Sequence, residues 1–319
     1  MVSPIGVDRV PLSLYFNITD YCNSRCIFCA AGIPDLKNPA EIPSESILQI
    51  YERYDLRPGD DIVINGGEPT LYRDLEIVVR EAAIRGVTVT LFTNGRLLCD
   101  LSKARAWLEA GVDRVSIPLH GSRADTHDML TKRSGSFDQT IIGIRNAFAL
   151  QDEIGFPKEI ELKVLAVRNS LEEWPQIIEL IAKEFGAPDI LVISGLNMWS
   201  SATHLYKTLS PTIEQVYQFL NVALQCAASH RMPVSLWAIP LCLLTDKNLK
   251  RFVVQREQSR TVSRKRVIYF DPLYLDGVEY PDEEFTPYRE VEPICQECHL
   301  AQICGPGRVF FQQLLTVST

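Results

Sequence analysis

The chain has 319 residues, 46% of them hydrophobic and 23% charged, with a formal net charge of −8. That length can bury a large core and allows one large domain, or one with a small appendage. The acidic balance argues against the basic face that nucleic-acid binding needs, and no apolar run reaches the roughly eighteen residues of a membrane span.

LSLYFNIT (12–19) predicts a first strand that ends just before CNSRCIFC. SESILQIYERY (44–54) predicts a helix with Ser44 as its N-cap. DIVINGGEPT (61–70) is a β-rich run broken by two glycines, and LYRDLEIVVREAAIRG (71–86) a helix stopped at Gly86. VTVTLFTNG (87–95) reads as a strand into a turn, LSKARAWLEAG (101–111) as a helix and DRVSIPLHG (113–121) as a strand. HGSRADTHDMLTKRSGSFD (120–138) is read as a loop before the helix FDQTIIGIRNAFAL (137–150). EIELKVLAV (159–167), LEEWPQIIELIAKEFG (171–186), PDILVISG (188–195) and IEQVYQFLNVALQCAAS (213–229) continue the alternation of strand and helix.

Six such units imply a parallel sheet with helices outside. They are too few to close like an eight-unit barrel, so the expected class is α/β, a partial (β/α)6 TIM-like barrel. Chemistry in such folds gathers at the C-terminal ends of the strands. Alternation stops near residue 230, and RVIYFDPLYLDGVEYP (266–281) reads as a hairpin turning at Asp276-Gly277. The expected organisation is a core, 1–230, followed by a small cysteine-rich appendage, 231–319, that contains the hairpin.

Cys22, Cys26 and Cys29 fall within eight residues, from nine cysteines in all. MVSPIGVDRV has no basic stretch followed by an apolar core, so no secretory signal is read and a reduced cytoplasmic setting is expected. There, clustered cysteines read as metal ligands. A disulfide framework fits poorly with a long chain and an odd count. Structural zinc wants four protein ligands, whereas three thiolates on a four-iron cluster leave one iron open. Zinc and plain structural thiols stay as alternatives for the triplet taken alone.

The string Cys22-x-x-x-Cys26-x-Phe28-Cys29 resembles the signature of the radical S-adenosylmethionine (SAM) enzymes. The resemblance implies a six-unit partial barrel and a 4Fe–4S cluster whose open iron is chelated by the amino and carboxylate groups of SAM, with Phe28 near the adenine. Gly66-Gly67-Glu68 resembles the family's Gly-Gly-Glu segment, implying contact with the SAM amino group; a tight turn is the plain alternative. Thr93-Asn94 resembles the strand end beneath SAM, or is an ordinary Asn-Gly turn. By the same resemblance Ser116 reaches the ribose or carboxylate of SAM, and Arg133 or Lys132 binds its carboxylate, although relatives more often carry glycine where Lys132 stands. His127 is read as a structural loop histidine or part of that site. Arg168, with Asn169, is a further cofactor contact or an exposed strand-end charge.

Cys295-x-x-Cys298, then five residues and Cys304, resembles the auxiliary-cluster regions of this family called SPASM or twitch domains. With Cys242 as fourth ligand the ceiling is one auxiliary 4Fe–4S cluster. Zinc bound with His299 is the alternative, and Cys242 has a rival role as hydrogen-atom donor, as in radical SAM epimerases. Cys99 and Cys226 read as buried small hydrophobes. The resemblance implies reductive SAM cleavage to a 5′-deoxyadenosyl radical, with electrons from a donor such as flavodoxin or ferredoxin. Only about eleven residues precede the first strand, which favours a small-molecule substrate (sugar, aminoglycoside or other natural product) undergoing epimerisation or dehydrogenation. A peptide maturase is the alternative, and a non-enzymatic iron–sulfur or zinc protein a third. No nucleic-acid or membrane partner is expected.

Overall fold

Odd–even alternation along the strands sets the architecture. In the computed structural model, which describes residues 9–29, 39–196, 208–237, 239, 244, 253 and 265–280, strand β1 (Leu12–Asn17) buries Leu12, Leu14 and Phe16 in the apolar core. The intervening Ser13, Tyr15 and Asn17 necessarily face the other way. The same division holds in β2 (Asp61–Asn65), β3 (Thr88–Phe92), β4 (Arg114–Pro118) and β5 (Glu159–Leu165), where Ile62, Ile64, Val89, Leu91, Val115, Ile117, Ile160 and Leu162 join the core. One face of the sheet is therefore sealed by apolar packing. The opposite face carries Asp61, Thr88, Thr90, Arg114, Ser116, Glu159, Glu161 and Lys163.

The sealing helices are α1 (Ser44–Arg53), α2 (Leu75–Ile84), α3 (Leu101–Glu109), α4 (Ala124–Thr131), α5 (Ser136–Ile154), α6 (Trp174–Glu184) and α7 (Ile213–Ser229). Trp174, fully buried at the start of α6, donates its indole Nε1–H to Leu165 O at 3.2 Å and ties that helix to the end of β5. Burying a side chain of that size stabilises by about 3 kcal/mol.

Strands β1 to β6 (Ile190–Ser194) lie parallel and in sequence order, each followed by helix, as the six-unit reading expects. The sheet continues past both ends of that set. β7 (Val234–Trp237) pairs parallel with β6. β8 (Arg266–Asp271) pairs parallel with β1, Leu12 opposite Arg266, and β9 (Tyr274–Tyr280) closes the other edge antiparallel to β8. Among the described residues the nine strands form an open sheet, not a closed barrel. The hairpin thus extends the sheet that the core strands build.

Several local expectations are corrected. Ser44 is the first residue of α1, with Pro43 in the cap position; its hydroxyl donates to Asp74 instead of capping. Helix α2 begins at Leu75, after a short 3-10 turn at Pro69–Leu71. The stretch read as a loop at 120–138 contains α4. The hairpin turns at Pro272 and Leu273, where Asp271 Oδ1 accepts from the backbone of Leu273 and Tyr274 at 2.8 and 3.0 Å. Asp276-Gly277 lies within β9, in a bulge where Gly277 takes φ +82°. A left-handed glycine serves a bulge as readily as a turn, and sequence alone does not separate the two.

Candidate active site

The cysteine loop follows β1, at the C-terminal end of the sheet, and the chain clamps it from three sides. From α4, the carbonyls of Thr131 and Leu130 accept from Arg25 N and Ile27 N at 2.9 and 3.0 Å. These are the last-turn carbonyls that a helix leaves unpaired. From the end of β2, Gly67 N donates to Thr19 O at 2.6 Å and Glu68 N to Tyr21 O at 2.8 Å. From the end of β3, Asn94 Nδ2 donates to Asn23 Oδ1 at 2.7 Å, and Arg96 Nη1 to Asn23 O at 2.5 Å and Ser24 Oγ at 3.2 Å. Arg133 Nε adds a bond to Asn23 O at 3.0 Å.

Inside this clamp Cys22, Cys26 and Cys29 are near enough for each thiol's ionisation to oppose the others. Burial pushes the Cys22 thiol up to about 11, a hydrogen bond from Ser24 N to Cys22 Sγ at 3.4 Å partly offsets it, and the Glu68 carboxylate adds to the rise. Cys26 is raised further, first by burial and then by its two neighbours. Arg96 works the other way on both. Three half-buried thiols, two of them, Cys22 and Cys26, reluctant to ionise alone, stand beside the buried Arg96 guanidinium and form a donor set that a bound cation would deprotonate.

The glycine pair lies against the backbone that enters the cysteine loop. A Cβ on Gly67 would lie 2.3 Å from Tyr21 O, and one on Gly66, at φ +131°, 2.5 Å from Thr19 O. The missing side chains let the end of β2 approach the backbone that enters the cysteine loop. The Glu68 carboxylate is buried, and its oxygens already accept from Thr70 N, Thr70 Oγ1, Thr93 Oγ1 and Asn94 N at 2.5–3.1 Å. Burial raises its pKa while those donors work to lower it. Glu68 and Thr93 thereby latch the ends of β2 and β3 together.

Phe28 packs on His120, ring centroids 4.6 Å apart, and His120 on His127 at 5.3 Å. Burial holds both imidazoles neutral, His120 well below the usual range and His127 at about 4. His127 Nδ1 accepts from His120 N at 3.3 Å, so it does have the structural role that was one of its two readings. Lys132 takes φ +53°, the left-handed region that favours glycine. Arg168 donates through Nε and Nη2 to Ser210 O at 3.2 and 2.7 Å.

On the polar face, Ser116 Oγ donates to Glu161 Oε1 at 2.7 Å, Lys163 Nζ lies 3.6 Å from the same oxygen, and that ammonium sits 4.7 Å from the Phe92 ring centroid. Tyr15 stacks on Tyr269 at 4.8 Å. Asp61 accepts from Ser13 and pairs with Lys265. At the C-terminal end of β2, Asn65 Oδ1 is buried without a hydrogen-bond partner among the described residues.

Residues 16–181 match the Radical SAM superfamily. The chain belongs to that superfamily. Radical SAM relatives include the GTP 3′,8-cyclase of Lactiplantibacillus plantarum, 32% identical over 52% of this chain and 49% of that protein. The AdoMet-dependent heme synthase of Methanosarcina barkeri is 29% identical over 57% and 50%. A probable GTP 3′,8-cyclase of Methanocella arvoryzae is 31% identical over 69% and 67%. The chain spans about half the length of most curated relatives it matches. Among solved radical SAM structures, Streptococcus suis SuiB bound to precursor peptide SuiA superposes with TM-score 0.62 at 14% identity, covering 92% of this chain and 71% of that one. Native anSMEcpe with AdoMet and the Cp18Cys peptide gives 0.62 at 15%, covering 96% and 95%. These two likenesses establish the fold.

Membership implies a 4Fe–4S cluster and SAM, and the three coupled thiols with an N–H donor on Cys22 Sγ fit such a cluster. Arg96, Asn23 and His120 were missed from the sequence. Arg96 directly follows Thr93-Asn94-Gly95, and a cation at that strand end was the available signal. Cys242, Cys295, Cys298, Cys304 and His299 lie outside the described residues. Cys99 and Cys226 are half-buried rather than core residues; the Cys226 thiol donates to Pro175 O and Glu179 Oε1. No helix among the described residues is long and apolar enough to cross a membrane.

Proposed function

We propose that this radical SAM enzyme takes a hydrogen atom from a polar small molecule, such as a sugar, aminoglycoside or other natural-product intermediate, bound against the polar face of the sheet, giving epimerisation or dehydrogenation. The observation that carries the reading is that face: carboxylates, an ammonium, hydroxyls and aromatic rings (Asp61, Glu161, Lys163, Ser116, Tyr15, Phe92) line the side of the sheet opposite the apolar core, with Ser116 and Glu161 buried there. Such groups recognise hydroxyl- and amine-bearing ligands by directed hydrogen bonds. Curated relatives named as GTP cyclases favour a small molecule over a peptide.

The bound cluster and SAM together supply one-electron cleavage of a carbon–sulfur bond and a carbon radical able to abstract hydrogen. The chain's own residues hold and shield them. Cys22, Cys26 and Cys29 are the cluster ligands. Phe28, backed by His120, walls the adenine side. Gly66, Gly67, Glu68, Thr93 and Asn94 set the floor of the SAM site, with Ser116, Arg133 and Arg168 at its margins. Asn65 Oδ1, which has no hydrogen-bond partner among the described residues, offers an acceptor at the C-terminal end of β2. Cys242, Cys295, Cys298 and Cys304 hold one auxiliary cluster, or Cys242 returns a hydrogen atom to the substrate. The setting is cytoplasmic, with a flavodoxin or ferredoxin as reductant.

The test is anaerobic reconstitution of the full chain. Dithionite and SAM should yield 5′-deoxyadenosine, and Cys26→Ala should yield none. Iron near four per chain means the first cluster alone, and about eight adds the auxiliary one. Zinc in place of iron at the triplet, with no 5′-deoxyadenosine, refutes the assignment. Solvent deuterium in the product marks a thiol donor and epimerisation; its absence with a two-electron-oxidised product marks dehydrogenation. Turnover only with a peptide substrate would replace the small-molecule reading by peptide maturation.

A further inference from the structure

Helices α6 and α7 follow β5 and β6 and pack against each other on the outside of the sheet. Where they meet, Cys226 and His230 stand four residues apart along the end of α7, a spacing that puts both side chains on one face. That face meets Glu179 of α6. His230 Nε2 lies 3.0 Å from Glu179 Oε1, and Cys226 Sγ 3.3 Å from the same oxygen. The three donor atoms all fall within 4.8 Å of one another. Zinc bonds of about 2.0–2.3 Å in tetrahedral array put neighbouring ligand atoms about 3.3–3.8 Å apart, so the donors already stand close to the required spacing.

We propose that Glu179, Cys226 and His230 form a zinc(II) site, separate from the iron–sulfur centre. A thiolate, an imidazole and a carboxylate make a mixed set that suits zinc and disfavours magnesium and calcium, which take oxygen ligands. Three protein ligands leave the fourth position to water. The ion cross-links α6 to α7 just ahead of β7, the strand at this edge of the sheet. The site is remote from the cysteine triplet: β6 lies five strands from β1. The bound ion would also protect the half-buried Cys226 thiol from oxidation.

The full cluster-loaded chain, prepared anaerobically, is exposed to zinc chloride in slight excess and desalted. Wild type should retain one zinc per chain more than Cys226→Ser, with iron content the same in both. X-ray absorption at the zinc edge should show one sulfur near 2.3 Å and nitrogen or oxygen ligands near 2.0–2.2 Å. Zinc at about a hundred times its dissociation constant should raise the melting temperature by on the order of 5 °C in wild type and not in the variant. Glu179→Gln, which keeps the side-chain shape, should weaken binding at least tenfold and guards against misfolding of the first variant. Equal zinc retention in wild type and both variants overturns the site, as does a zinc environment of three sulfurs, which would place the ion on Cys22, Cys26 and Cys29 or on Cys295, Cys298 and Cys304.

Discussion

Replacing Gly67 by alanine should unseat the cysteine loop without touching a ligand. The new Cβ would lie 2.3 Å from Tyr21 O, 2.7 Å from Tyr21 C and 2.8 Å from Asp20 C, all backbone atoms. Carbon contacts settle near 3.5 Å, so the end of β2 and the loop entrance must part by about 1 Å. That strains or breaks the 2.6 Å bond from Gly67 N to Thr19 O and the 2.8 Å bond from Glu68 N to Tyr21 O. Overpacking of this kind costs about 1–3 kcal/mol and each weakened hydrogen bond about 1 kcal/mol, together about 2–5 kcal/mol. For a chain this size the melting temperature should fall by on the order of 5–10 °C. Iron retained after anaerobic reconstitution should drop at the same time, because the displaced segment leads directly into Cys22. The assay pairs thermal unfolding with iron per chain. A Gly67→Ala protein with wild-type melting temperature and full iron would show that the close approach is not needed and that the glycine serves something else.

Arg96→Ala removes the bonds to Asn23 O, Ser24 Oγ and Gln139 Oε1 and the nearest cation opposing the raised thiols; cluster loading should fall several-fold, more than in Arg133→Ala, which loses one exposed bond to Asn23 O, as read by iron content and absorbance near 400 nm, a typical 4Fe–4S band at about that wavelength. Lys132→Gly relieves a left-handed residue at a cost about equal to glycine's extra chain entropy, so stability should change by less than about 1 kcal/mol; retained 5′-deoxyadenosine formation would assign the SAM carboxylate contact to Arg133, and its loss to Lys132. Asp128→Ala removes the carboxylate that caps α5 by accepting from Gly135 N, Ser136 Oγ and Phe137 N at 2.6–2.8 Å and should destabilise by about 1–2 kcal/mol at neutral pH. Burial works to raise the Asp128 pKa, but those hydrogen bonds win and hold it below the ordinary value. The folded form therefore binds its proton less readily than the unfolded chain, so the stabilisation is present above the unfolded pKa of about 3.9 and lost as pH falls through the lower folded value. The wild-type advantage in chemical denaturation should shrink below about pH 4; a constant gap down to pH 2 would refute the capping role.

The sequence by itself determined what short-range spacing can encode. Apolar side chains at period two and period 3.6 mark six strand–helix units, because each strand must bury alternate residues and each helix one stripe. The cysteines at 22, 26 and 29 share a loop whatever surrounds it, since so few residues separate them. Partner choice across long separations belonged to the tertiary structure alone. Nothing near Gly67 announces that Tyr21 O will occupy its empty flank, nor near Glu68 that Thr93 and Asn94 will saturate its carboxylate. Arg96 reads as an ordinary surface cation until the fold brings Asn23 against it. The hairpin's turn moved from Asp276-Gly277 to Pro272 because a left-handed glycine fits either a turn or a bulge, and pairing with β8 selects the bulge. Hydrophobic periodicity reports only which side of an element is dry. Which polar group meets which is settled when strands remote in sequence come into register, and here those meetings hold the loop that carries the chemistry.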